Sequence, residues 1–257
     1  MGICLETEMI TVNSLSGGKT SSYMGVHYPA DYNVFALVTI EDVRCTPNDK
    51  ELVKWISDKI GKEFIATAEN DITLIAMRDL EQKMGKEIKW LVSKPFEKLT
   101  KRKHLPNMEF RRCTDELKIQ PIKRFCKELG PVEMRIGFRY DEKERGDNFK
   151  VEQGWRSVRF PLIEDKIGHW TVYNWAERSG IWFPKDSNCV GCYWKPLQQL
   201  RKNWDDTPEK MQWFADQEKK DKRWKKEATY EQIKKIGLQT DFNFGTGVGC
   251  QAGYCTD

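Results

Sequence analysis

No apolar run in this chain of 257 residues approaches the roughly 20 needed to cross a bilayer, so nothing in it predicts a membrane helix. The opening MGICLETEMI lacks the basic stretch and long apolar core of a secretory signal. Gly2 invites myristoylation, but Glu6 stands where that signal takes Ser or Thr. No internal repeat and no low-complexity linker interrupts the sequence. An excess of one charge is also missing. The 43 Lys and Arg exceed the 39 Asp and Glu by only four, too few to imply a nucleic-acid partner by themselves. These absences predict a cytoplasmic protein without a membrane partner. In that reducing compartment the 8 cysteines read as thiols, some of them metal ligands, and not as a disulfide framework.

What is present suits a globular chain. Hydrophobic residues make up 39% and charged residues 32%. Mean hydropathy is polar at -0.70, yet 10 Trp and 12 Phe can build a core. Short apolar segments alternate with amphipathic ones. MITVN (9–13), YNVFALVTI (32–40), EFIATA (63–68) and VEMRIGFRY (132–140) read as strands. TSSYMGVHY (20–28), DITLIAMRDLEQKM (71–84) and NDKELVKWISDKI (48–60) read as helices, the last opening on Asn48 as a cap and carrying Leu52, Trp55, Ile56 and Ile60 on one face. This alternation predicts an α/β fold, a mostly parallel Rossmann-like sheet with helices on both faces. It weakens after about Gly154. Residues 1–165 are therefore assigned to the sheet domain, and residues 166–257 to an irregular and helical cysteine-bearing extension that packs on it, with a charged helix or helix pair over 207–236.

One stretch singles itself out. NSLSGGKTSS (13–22) sets two glycines and a lysine between a predicted strand and a predicted helix. Glycines let the backbone approach a ligand, and the N–H groups and dipole of a helix N-terminus favour an anion. Lys19 adds a point charge. The Walker A spacing asks for Gly where Asn13 stands, so only the last three letters of that pattern agree. A plain Gly-rich turn before a helix is the simpler alternative.

Three later segments accompany the loop: RRCTDELKIQPI (111–122), GFRYDEKER (137–145) and FPLIED (160–165). Ser16-Gly17-Gly18-Lys19-Thr20-Ser21 resembles the SGGxDS loop of the PP-loop adenine-nucleotide α-hydrolases, nearest in character to the phosphoadenosine phosphosulfate (PAPS) reductase family. The other segments are similar to that family's R-x-C-T-x-x-L-K-x-x-P, G-x-R-x-D-E-x-x-R and PLI stretches, in the same order, so the likeness spans about 9–165. Thr20 replaces the family's usual Asp and leaves no carboxylate there. The resemblance implies an enzyme of sulfur chemistry that binds ATP or PAPS, with cleavage next to the α-phosphate: PAPS reduction or ATP-dependent sulfur transfer. Residues 16–21 would hold phosphate. Arg139, Arg145 and Lys118, with Arg112, are cations expected at the carboxyl edge of the sheet, where open α/β sheets bind ligands. Arg offers bidentate contacts to phosphate or sulfate. The plainer account makes them surface cations, or partners of Asp115, Asp141 and Glu142.

The cysteines divide into groups. Cys4, Cys45 and Cys126 are isolated and read as small buried or neutral thiols. Cys189 and Cys192 form a C-x-x-C, and Cys250 and Cys255 stand near the end. Those four could complete a structural zinc site. The resemblance implies another set, in which Cys113, Cys189 and Cys192 hold a [4Fe–4S] cluster with Cys255, or Cys250, as fourth ligand. A redox C-x-x-C is a third choice, without the βα context such motifs favour. PAPS reductases end in a Glu-Cys-Gly-type tail, whereas this chain ends VGCQAGYCTD, leaving Cys250 and Cys255 as candidate catalytic thiols. An electron donor or a sulfur acceptor would be the partner. A non-catalytic, zinc-stapled nucleotide- or nucleic-acid-binding protein is the alternative from another class. Residues 93–112 pack seven Lys/Arg and two Phe into a predicted loop that could cover an anionic substrate or touch nucleic acid. EKKDKRWKKE (218–227) reads as a solvated helix face. His104 and His169 have no visible partner and receive no role.

Overall fold

The computed structural model describes residues 9–149 and 154–238. Its strands in chain order are β1 (Ile10–Leu15), β2 (Tyr32–Leu37), β3 (Thr39–Ile40), β4 (Ala66–Thr67), β5 (Ile88–Val92), β6 (Val132–Ile136) and β7 (Arg156–Arg159). The helices are α1 (Lys19–His27), α2 (Lys50–Ile60), α3 (Asp71–Met84), α4 (Glu97–Thr100), α5 (Gln120–Leu129), α6 (Lys143–Asp147), α7 (Pro161–Glu164), α8 (His169–Arg178), α9 (Leu197–Asp206), α10 (Pro208–Asp216) and α11 (Tyr230–Lys234).

Five strands form one sheet in the order β5-β2-β1-β6-β7, with every neighbouring pair parallel. The chain is thus an α/β protein with a Rossmann-like sheet. Alternation along the strands feeds two cores. Leu15, Phe35, Leu37, Ile88 and Trp90 pack with α1, α2, α3 and α8 on one face. Val12, Val34, Ala36 and Met134 pack with Ile122 and Cys126 of α5 on the other. A third core joins Val38, Ala66, Phe96 and Leu117 to Trp204, Phe214 and Tyr230 of the later helices and to Trp224 of the loop between α10 and α11. No helix among the described residues is long and apolar enough to cross a membrane.

Local chemistry moves several boundaries. The cap of α2 is Asp49, which accepts from Leu52 N at 3.0 Å, and not Asn48. The predicted strand 32–40 ends at Leu37; Thr39 and Ile40 turn off to pair antiparallel with Thr67 and Ala66 in a small separate ladder. EFIATA contributes only those two strand residues. The stretch 217–229 is not helical. It forms a loop closed by a Lys219–Lys222 bridge, and only α10 and α11 survive of the predicted helix pair. Strands β5 and β7 and helix α8 were not foreseen.

Candidate functional site at the carboxyl edge of the sheet

Because the sheet is parallel, its loops after β1 and β6 leave from one edge. Ser14 pairs with Ile136 at the ends of those strands, so residues 16–18 and 137–139 emerge side by side. After β1 the chain crosses to β2 on one side, while β6 lies on the other. This reversal of strand order is where open α/β sheets leave a crevice.

The loop has only three residues between Leu15 and Lys19. Asn13 is a buried member of β1, and its amide donates to Tyr28 O at 2.8 Å. A longer Walker-type wrap has no room. Ser21 ties the loop together: its hydroxyl accepts from Ser16 N at 3.0 Å and donates to Gly18 O at 3.2 Å. Gly18 is the N-cap of α1, with no side chain closing that terminus. Gly17 has φ 78°, and a Cβ there would stand 2.4 Å from Thr73 Cγ2. Its lack of a side chain therefore serves packing on α3.

A cavity of about 150 Å³ opens beside the loop. Ser16, Gly18, Lys19, Thr20, Ser21, Arg139 and Arg145 line it; Gly17 is buried behind. Arg139 Nη1 donates to Thr20 Oγ1 at 3.3 Å, so Thr20 touches the second motif directly. Both arginines also meet acids. Arg139 pairs with Asp141 at 2.8 Å and Glu142 at 3.4 Å, and Arg145 with Glu142 at 2.5 Å. The Arg145 guanidinium lies 4.1 Å from the Phe138 ring centroid. Burial works against the Arg139 charge, but the Asp141 hydrogen bonds and both carboxylates outweigh it and raise its pKa. The same hydrogen bonds lower the pKa of Asp141. These pairs orient the two cations at the cavity wall. Lys19 has its ammonium 4.9 Å from the Tyr173 ring centroid and no carboxylate partner among the described residues.

Lys118 is placed elsewhere than expected. It is absent from this cavity and reaches Glu69 Oε1 at 3.2 Å, where it neutralises a fully buried carboxylate. Arg112 is exposed and lines none of these cavities. A smaller cavity of about 40 Å³ shares Ser14, Ser16, Ile136 and Ser187 with the first and adds apolar Phe35, Ala36, Ile122 and Met134. Lys118 and Asn188 belong to that cavity and to a third, lined by Cys113, Cys189 and Cys192. Three cavities thus follow one another along the sheet edge.

The C-x-x-C is a turn, with Cys192 N donating to Cys189 O at 3.0 Å. Gly191 permits it: a Cβ there would come 2.3 Å from the Phe214 ring. Cys113 immediately precedes a π-helix, Thr114–Ile119, and its Sγ is 3.8 Å from Tyr193 Oη. Burial pushes all three thiols up, Cys192 to about 12. Their donor type suits a soft metal. Among the described residues, however, no three His, Cys, Asp or Glu side chains form a closed ligand group. Cys250 and Cys255, named as catalytic candidates and as fourth ligand, lie outside the described residues, as does Cys4. Cys45 and Cys126 are buried free thiols.

Sequence reasoning missed several residues here. His169 and Tyr173 of α8, and Lys185, Asp186 and Ser187 ahead of the C-x-x-C, line the first cavity. Asp186 is held by Lys195 at 2.9 Å, a pair with both side chains more than nine-tenths buried. Arg156 of β7 lines the second cavity. No periodicity or spacing marks these positions, because they reach the edge from the extension and the outer strand. The fold and site define a doubly wound α/β protein with polar and thiol cavities at its switch point. No protein-family model matches the chain, and no curated protein matches it.

Proposed function

We propose that the chain is an enzyme of sulfur chemistry that binds an adenine nucleotide, ATP or PAPS, at the carboxyl edge of β1 and β6, of the kind the PAPS reductase resemblance implies. The observation that carries this reading is the row of three cavities. Anion-binding groups (the α1 N-terminus, Lys19, Arg139 and Arg145) line the first. An apolar recess at the end of β2, with the size and lining to take part of a base, adjoins it. Three thiols stand beyond Lys118 and Asn188. Phosphates would lie on the α1 N-terminus, where backbone N–H groups and Lys19 oppose their charge. Arg139 and Arg145, already oriented by Asp141 and Glu142, would neutralise charge developing beside the α-phosphate. Ser21, bonded to Ser16 N and Gly18 O, positions the loop, and Gly137 lets the Ser21 backbone approach closely. Cys113, Cys189 and Cys192 would hold a [4Fe–4S] cluster with a tail cysteine; such a cluster supplies electrons or sulfur. A zinc ion on the same thiols would instead act as a structural staple.

Lys19→Met tests the nucleotide site, because Lys19 lines the cavity and forms no ion pair among the described residues. Loss of a charge-assisted contact of about 1.5–3 kcal/mol weakens ATP or PAPS binding at least about tenfold in calorimetry, with the melting temperature unchanged. Wild-type protein that binds neither nucleotide, or a variant that binds as tightly as wild type, rejects the assignment.

A further inference from the structure

Two basic stretches far apart in sequence, 94–112 and 219–227, form one face. Lys222 Nζ donates to Thr100 O, and Lys226 pairs with Glu109. A groove of about 460 Å³ runs between the stretches, lined by Met108, Glu109, Lys220, Asp221 and residues 223–227. Together they carry thirteen Lys and Arg against four Asp and Glu. The whole chain is only +4, so the rest of it is net acidic and the positive charge is concentrated here. Lys101, Lys103, Arg112 and Lys220 are exposed and have no carboxylate partner among the described residues. Phe110 and Met108 are among the exposed large hydrophobic side chains, at 39% and 56%. His104 stacks on Phe110 with centroids 5.4 Å apart and planes 15° from parallel.

We propose that this face binds single-stranded nucleic acid, with phosphates on the lysines and a base on the His104–Phe110 platform. Cations interleaved with solvent-facing rings are the means by which proteins hold unpaired strands. An acidic peptide would account for the lysines but not for the exposed stack. A duplex hides its base faces, which leaves the His104–Phe110 platform nothing to stack on. Trp224 is the only buried residue of the groove among the described residues, and its Nε1 is already donated to Phe214 O at 2.8 Å. Nothing buried there is left to read a 2′-hydroxyl, so RNA and DNA strands should bind alike. Trp224 also lines the thiol cavity, so a bound strand would lie one side chain away from Cys113 and Cys192.

The test is fluorescence anisotropy with a labelled oligouridylate of about 12 nucleotides and its deoxythymidylate counterpart, within the site sizes of single-strand binders. Both strands bind within about threefold of each other. Neutralising about four phosphates makes affinity fall about 50-fold between roughly 50 and 200 mM salt. The exposed triple variant Lys101→Glu, Lys103→Glu, Lys220→Glu loses at least about tenfold. Phe110→Ala loses about fivefold or more with the salt slope unchanged, since stacking carries no net charge. ATP calorimetry on these variants matches wild type, so this inference and the nucleotide assignment can fail separately. Absence of salt-dependent binding, a duplex or a polyglutamate that binds more tightly than the single strand, or a triple variant that binds as wild type overturns the proposal.

Discussion

Gly17→Ala separates what the glycine does for the fold from what the loop does for a ligand. Gly17 sits at φ 78°, and the added Cβ would stand 2.4 Å from Thr73 Cγ2 on α3. The left-handed backbone costs an Ala about 1–2 kcal/mol. Forcing the methyl against a buried Thr adds about 1–3 kcal/mol, for a total of about 2–5 kcal/mol. Thr73→Ser deletes the clashing Cγ2 and keeps the hydroxyl, at a cost of about 1 kcal/mol for the lost methyl. In that background Gly17→Ala bears only the backbone cost. The double-mutant cycle should therefore return about 1–3 kcal/mol of favourable coupling. Urea unfolding followed by tryptophan fluorescence measures it. Gly17 does not line the cavity, so the folded double variant binds nucleotide as the wild type does. Coupling below about 0.5 kcal/mol would refute the packing argument, and loss of binding in a stable double variant would return Gly17 to the ligand.

Two further outcomes follow from the thiols. Cys113→Ser should lower the iron or zinc content of the purified full chain; full retention there, with loss in both Cys250→Ser and Cys255→Ser, would assign the metal to a staple built from the tail. Burial lifts the Cys126 thiol from its ordinary 9.0 to about 11. The unfolded chain then releases that proton first, so this contribution is complete below about pH 9 and is lost by about 2–3 kcal/mol as pH rises towards 11. Cys126→Val should flatten that part of the stability profile in urea titrations at several pH values; an equal alkaline loss in variant and wild type would count against it.

The sequence by itself determined the α/β class, the three central strands β2, β1 and β6, and the helices α1, α2 and α3. Alternating apolar positions such as Val12, Val34 and Leu15, Phe35 specify which face each strand turns to which helices, because side chains alternate across a strand. The two glycines between β1 and α1, with Lys19 opening α1, marked the loop that lines the first cavity, because that pattern is local and contiguous. The last three residues of 32–40 left the main sheet, and Thr39 and Ile40 paired with Thr67 and Ala66 instead, where backbone pairing overrode the run of strand propensity. Only the tertiary structure decided what depends on distant contacts. It sent Lys118 to the buried Glu69 and brought His169, Tyr173 and Asp186 to the cavity. It also turned 219–227 from an expected helix face into a loop against 94–112. Such meetings are invisible in the sequence because no period or spacing encodes them. They arise from packing, when the third core draws the later helices over the carboxyl edge of the sheet.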